Sequence, residues 1–128
     1  MRLRFVLSCA ALCLLTATIS TAQDPVKVDP THYKVETENA QVRVLRIHYG
    51  PHEKSVMHAH PNSVVTYLTD GTIKMTTPDG KSQEMNGKMG EALFTPAGVH
   101  QPENIGDKPF DAVLVELKGH AAAAKSKK

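Results

Sequence analysis

Turn signals cut this chain into short pieces, and no segment holds a helical hydrophobic period for longer than a turn or two. Gly50-Pro51, Asp70-Gly71, Pro78-Asp79-Gly80 and Asn86-Gly87 combine residues that supply the backbone dihedrals a reversal requires. Between and around them run stretches that read as strands, many rich in β-branched residues, at 41–49, 63–69, 72–77, 82–85, 91–95 and 110–117. An edge strand is expected at 33–37 and another strand near Val56. Such a chain is predicted to be all-β, a barrel or a sandwich. A body of roughly 90 ordered residues buries surface efficiently only if its sheet closes on itself, which favours the barrel.

The N-terminus has a different character. Arg2 and Arg4 precede an apolar run at 5–19, and Ser20-Thr21-Ala22 supplies small residues for cleavage, the three-part pattern of an export signal. The run is shorter than the roughly 20 residues a membrane-crossing helix needs. Residues 1–22 are therefore expected to be removed on export to the periplasm or beyond, leaving 106 of the 128 residues, with no membrane partner afterwards. An uncleaved anchor, or a lipoprotein signal at Cys9 or Cys13, is the alternative. Those two are the only cysteines, so the exported part has neither disulfide nor thiolate ligand. Without Arg2 and Arg4, the 15 Lys and Arg fall to thirteen, against 13 Asp and Glu. A neutral balance with no clustered basic face argues against nucleic acid as a partner. Residues 23–40 are expected to form an extended leader and the edge strand, 41–118 the barrel, and 119–128 a disordered tail.

Chemistry concentrates in two segments. His58 and His60 are two apart, so an extended strand sends both imidazoles out of one face. Forty residues on, a strand opened by Gly90 runs to Pro96-Ala97-Gly98-Val99-His100, and Asn104 follows. Three imidazoles drawn from two strands suit one divalent transition metal, Fe, Zn, Ni or Cu rather than the oxygen-preferring Mn. The rings must be neutral to bind, so metal retention is expected at pH 7.5 and loss near pH 5. Pro96 and Gly98 are expected to aim His100 through a left-handed turn, and Asn104 to tie a loop.

With His58 and His60 pointing inward, strand parity places Val64, Thr66 and Leu68 toward the lumen and Val65 and Tyr67 outward. Val64, Leu68, Met75 and Phe94, with Met57, would then wall an apolar cavity for a small-molecule ligand, with His52 over its mouth. Outward Val65 and Tyr67 would need cover, and on that ground a homodimer is expected. His48 reads as a surface group, and His32 and His120 as needing no functional explanation.

These residues resemble the paired motifs of the cupin superfamily. Gly50, His58, His60 and Gly71 hold the frame of the first motif, and Gly90, Pro96, Gly98, His100 and Asn104 that of the second. The resemblance spans 42–117 and implies a small double-stranded β-helix (jelly-roll) barrel, usually dimeric, with a divalent metal in the lumen. The first motif normally carries a Glu ligand six residues before its closing Gly, where this chain has Val64. What the resemblance implies is thus a three-histidine set, as in some cupin dioxygenases, with Gln101, Glu103 and His52 as candidates for the missing position. A weaker similarity, through Val-Val-Thr-Tyr-Leu-Thr-Asp-Gly, is to small cupins associated with β-alanine degradation. The function implied is a metal-dependent dioxygenase or isomerase of a small molecule. The alternative is a non-catalytic module that binds a small ligand or a metal.

Overall fold

The computed structural model describes residues 23–119; the expected signal at 1–22 and the tail beyond Gly119 lie outside them. The strands follow in the order β1 (Tyr33–Glu38), β2 (Val42–Tyr49), β3 (His58–His60), β4 (Ser63–Tyr67), β5 (Gly71–Thr76), β6 (Ser82–Gly87), β7 (Ala92–Thr95), β8 (Gly98–Asn104) and β9 (Phe110–Leu117). They form two sheets of antiparallel pairs, β1-β2-β9-β4-β7 and β3-β8-β5-β6. The last strand returns to lie between β2 and β4, pairing with both along its length. This is the non-sequential order of a jelly roll, the all-β barrel that the turn pattern predicts. Among the described residues β1 has one hydrogen-bonded neighbour, so it is an edge strand there, as expected.

The core lies against the inner face of the larger sheet: Leu45, Ile47 and Tyr49 from β2, Val65 and Tyr67 from β4, and Phe110, Ala112 and Leu114 from β9, with Tyr33 and Ile73. Two glycines let it close. A β-carbon on Gly71 would stand 2.7 Å from the Phe110 ring, and one on Gly87 would stand 2.8 Å from the Tyr67 ring. The two glycines are register partners across β5 and β6, so both aromatic rings press on backbone.

The expected parity is corrected here. Val65 and Tyr67 face inward, and Val64 and Thr66 face outward. The cause is Pro61-Asn62, a corner at which the chain leaves the four-stranded sheet and enters the five-stranded one. Alternation holds only within a continuous strand, and it restarts at Ser63. The ground given for a dimer, an outward Val65 and Tyr67, is removed.

Two further differences have local reasons. β8 runs through Pro102, where a strand is not expected from sequence. The Pro102 carbonyl accepts from Ser55 N–H at 2.9 Å, so residue 102 points its backbone groups away from β5, and the missing N–H costs that ladder nothing. The leader is not simply extended: Pro25–Val28 forms a short helix, α1, because the Asp24 side chain caps Val26 N–H at 3.0 Å and proline starts the turn. Pro25 is fully buried. Near Val56 there is no strand, only an isolated bridge from Lys54 to Glu103.

Candidate metal centre

Strand β3 is three residues long, and its alternation buries His58 and His60 on one face with Ala59 half-exposed between. β8 lies beside it with His100 opposite His58 and Gly98 opposite His60. Gly98 does not take the left-handed conformation expected of it; it belongs to the strand, and its pairing delivers His100. The ring centroids stand 4.8 Å apart for His58 and His60, 5.1 Å for His58 and His100, and 5.2 Å for His60 and His100. One ring nitrogen from each lies within 4.8 Å of the others.

Hydrogen bonds decide which nitrogens face the centre. His58 Nδ1 lies 2.8 Å from the Val56 carbonyl, which can only accept, so Nδ1 carries the proton. Ser55 Oγ is a second, longer acceptor at 3.3 Å, because its own hydroxyl donates to Asp29. His60 Nδ1 donates to Glu116 Oε1 at 2.7 Å. Both Nε2 atoms are thereby left as lone pairs, and they face each other at 3.1 Å. Two acceptors at that distance repel unless a proton or a metal ion lies between them. Nitrogens sharing a metal at about 2.0–2.1 Å each stand about 2.9–3.4 Å apart in octahedral or tetrahedral geometry. The donor set fits a divalent metal, and His100 supplies the third nitrogen.

Burial favours the neutral form of two of the rings. It pushes His58 down to about 4, helped by the neighbouring His60 and opposed by the Val56 carbonyl, Asp29 and Glu116. His100 is pushed down to about 3, again by burial first and then by His60 and His58. Burial alone would raise the Glu116 carboxyl, but hydrogen bonds from His60 and Arg43 outweigh it and hold the group below its ordinary range. Arg43 Nε donates to Glu116 at 2.6 Å while Nη1 donates to Asp24 at 2.7 Å. The Tyr33 ring packs edge-on to His58 at 4.8 Å and shares a 2.6 Å hydroxyl contact with Tyr49.

The remaining sequence candidates fall elsewhere. Val64 is on the outer face, paired with Phe94, which is 61% exposed. Leu68 lies past the end of β4, beside a groove shared with Thr69, Asp70, Met89 and Lys108. His52 points away to Asp107 at 2.7 Å, and its positive φ of 59° belongs to the turn after Gly50. Met75 is inside, packed against the core. Glu103 pairs with Lys74 at 2.8 Å, and the Gln101 amide donates to the Ser55 carbonyl. None of these replaces the absent carboxylate ligand. Asn104 does tie a loop, donating to the carbonyls of Gly50 and Lys108.

Sequence reading missed Glu116, Asp29, Ser55 and His32. Glu116 had a signal: it continues the inward series Phe110, Ala112, Leu114 on β9, where a carboxylate needs a buried partner. Asp29 and Ser55 had none, since a bend and a loop bring them to His58. His32, set aside as a chain-end residue, stacks on Tyr49 at 4.4 Å and faces Asp29 and Glu53.

β6 and β7 are the outer edges of their sheets. Leu93 shares the inner face with core Val65 yet is 42% exposed, and Met75 and Met85 are half-buried opposite each other's neighbours. A groove of about 910 Å³ at another end of the barrel, lined by residues such as Gln41, Asn62 and Leu117, includes none of the three histidines.

A double-stranded β-helix barrel with three inward imidazoles defines the class. A family model for the cupin domain matches residues 45–116, and the chain belongs to that family. It is 33% identical over 85 residues to the beta-alanine degradation protein BauB of Pseudomonas aeruginosa, covering 66% of this chain and 87% of that protein. A cupin domain from Bordetella pertussis superposes with a TM-score of 0.64 at 28% identity, over 68% of this chain and 92% of the other. A double-stranded β-helix protein from Klebsiella pneumoniae superposes with a TM-score of 0.56 at 25% identity, over 77% and 87%.

Proposed function

We propose that this cupin is an exported protein that holds one divalent transition metal, Fe, Zn, Ni or Cu, on Nε2 of His58 and His60 and on His100, and presents it to a small organic molecule. The observation that carries the reading is the convergence of one ring nitrogen from each of the three histidines within 4.8 Å, with the Nε2 atoms of His58 and His60 3.1 Å apart. Such an ion would supply Lewis-acid or redox chemistry at the positions the three rings leave open. The chain's own residues set the rest. Glu116 and the Val56 carbonyl hold the ring protons on the outer nitrogens, and burial keeps His58 and His100 unprotonated. An approach past Met75, Met85 and Leu93 would be apolar and would suit a ligand with a hydrophobic part. Export is supported by Arg2, Arg4 and the apolar run after them. The test is metal content after chelation and reloading, for the wild-type chain beside His58→Ala/His100→Ala. Stoichiometric uptake by the first and none by the second is expected; no uptake by the wild type sinks the reading.

The rival, a binding module without catalysis, draws support from Glu116. It is the carboxylate nearest the rings, yet both its oxygens are committed, one to His60 and one to Arg43, so it is poorly placed as a general base. If iron is bound, oxygen uptake with a panel of thiols, diketones and phenols separates enzyme from binder.

A homodimer is proposed on a different ground from the one removed. Val44, Val115, Val64 and Phe94 form one cross-strand row on the outer face of the larger sheet, and Val42 and Leu117 flank it. A contiguous apolar row of this kind suits a second copy of the same face.

A further inference from the structure

The segment just after the expected cleavage point reaches the metal strand by three routes, one direct and two through other residues. The Gln23 carbonyl accepts from Ala59 N–H at 3.0 Å, and Ala59 lies between the two ligands of β3. Asp24 accepts from Arg43 at 2.7 and 3.2 Å; Arg43 donates to Glu116, and Glu116 holds His60. Asp29, 8% exposed, accepts from the Ser55 hydroxyl, and Ser55 Oγ lies 3.3 Å from His58 Nδ1. Asp29 is also held from outside by His32 Nδ1, at 2.7 Å, and His32 Nε2 faces Glu53 at 3.0 Å. Asp24 and Asp29 are the two caps of α1, whose Pro25 is buried and whose Val26 packs on the core. One short helix therefore fixes the far ends of two hydrogen-bond chains, and each chain ends on a different ligand ring.

We infer that residues 23–29 form an N-terminal clamp in which Asp24 and Asp29 are positioning residues for His60 and His58, so that metal affinity depends on a segment outside the matched domain. Asp24, Asp29 and Arg43 all precede residue 45, where the family match begins. The barrel strands alone bring the three rings together; the clamp sets which way two of them turn. Outer groups that orient metal-bound histidines commonly change affinity 10–100-fold. With a further residue interposed in each chain, about tenfold at either position is the expected scale. The inference rests on the metal reading above, and its test separates the two.

The experiment measures Co(II) affinity by chelator competition for the wild-type mature chain, Asp24→Asn, Asp29→Asn and Val26→Ala. Asparagine is also a good N-cap, so Asp24→Asn spares the helix and removes only the charged end of its chain. Val26→Ala removes packing and leaves both chains of bonds intact. The expected result is an affinity about tenfold weaker for each Asp variant, with a changed Co(II) absorption spectrum. Val26→Ala is expected to lower Tm at unchanged affinity. In the metal-free proteins, ring-nitrogen NMR is expected to show shifted His60 signals in Asp24→Asn and shifted His58 signals in Asp29→Asn, each ring keeping its proton on Nδ1, where Glu116 and the Val56 carbonyl still accept it. If Asp29→Asn does not fold, the less buried Asp24 carries the test. A wild-type chain that binds Co(II) while both Asp variants match it in affinity and in ring-nitrogen shifts overturns the clamp and leaves the metal reading standing. A wild-type chain that takes up no Co(II) overturns both.

Discussion

Glu116 and His60 meet across the barrel, one from each sheet, with the carboxylate Oε1 2.7 Å from ring Nδ1 and both side chains almost wholly buried. The contact does two jobs. It ties β9 to β3, which share no ladder, and it fixes the tautomer that leaves Nε2 free. Arg43 occupies the second oxygen, so the carboxylate stays ionised in a place where an unpaired charge would be costly.

Replacing that carboxylate by an amide isolates the second job. Glu116→Gln keeps the shape and an acceptor oxygen, but lets the amide turn its NH₂ group toward His60. Metal affinity is expected to fall about 10–100-fold, the range seen when the outer partner of a metal-binding histidine is altered. Chelator competition measures it, and an unchanged affinity would place Glu116 outside the centre's function.

The buried rings predict a pH dependence with a definite sign. His58 titrates near 4 and His100 near 3 in the folded chain, against about 6.5 in an unfolded one. Between those values the unfolded state binds more protons, so the metal-free protein loses stability as pH falls from 6.5, and the loss continues until the folded values are passed. At pH 5, His58 alone accounts for about 2 kcal/mol. Protons therefore compete with metal later than free imidazole would suggest, and half-loss of metal is expected below pH 5 rather than at it. NMR titration of the ring protons checks the folded values; a His58 midpoint at 6 or above refutes the argument.

Most of the architecture was legible because turns and strands are local. Asp70-Gly71 and Asn86-Gly87 lie at strand ends, and Phe110–Leu117 forms the strand its alternation announces. The His-x-His pair was legible for the same reason, since a spacing of two in any strand shares a face. What failed was carrying parity through Pro61-Asn62, a corner between sheets, which turned Val64 and Phe94 outward and Val65 inward. The outer partners of the histidines were hidden more deeply. Asp29 and Ser55 meet only because α1 and the loop before β3 fold onto each other, and no periodicity records that.

The two packing glycines invert a familiar expectation. Alanine in a strand normally stabilises relative to glycine. At Gly71 the new methyl would stand 2.7 Å from the Phe110 ring, and at Gly87 2.8 Å from Tyr67, both buried rings with no room to retreat. Gly71→Ala and Gly87→Ala are each expected to cost about 1–3 kcal/mol, the usual scale of overpacking. Urea unfolding measures this, with Gly119→Ala, where no atom lies within 4 Å, as the neutral control.

The outer row of the larger sheet makes the dimer testable without touching the metal centre. Phe94 is 61% exposed, pairs with Val64, and continues through Val115 to Val44. A carboxylate placed there meets solvent in a single chain, so Phe94→Asp should fold normally. In a face-to-face dimer the same carboxylate would be stripped of water against valines, and the row's one aromatic anchor would be lost with it. Loss of such an anchor is worth about 2 kcal/mol or more, about thirtyfold in dissociation constant. Sedimentation velocity across a dilution series is expected to show the wild type as a dimer and Phe94→Asp as a monomer, with metal content unchanged in both. A wild type that sediments as a monomer at every concentration rules out this face as an interface between copies. A variant that remains dimeric shows that the copies meet elsewhere.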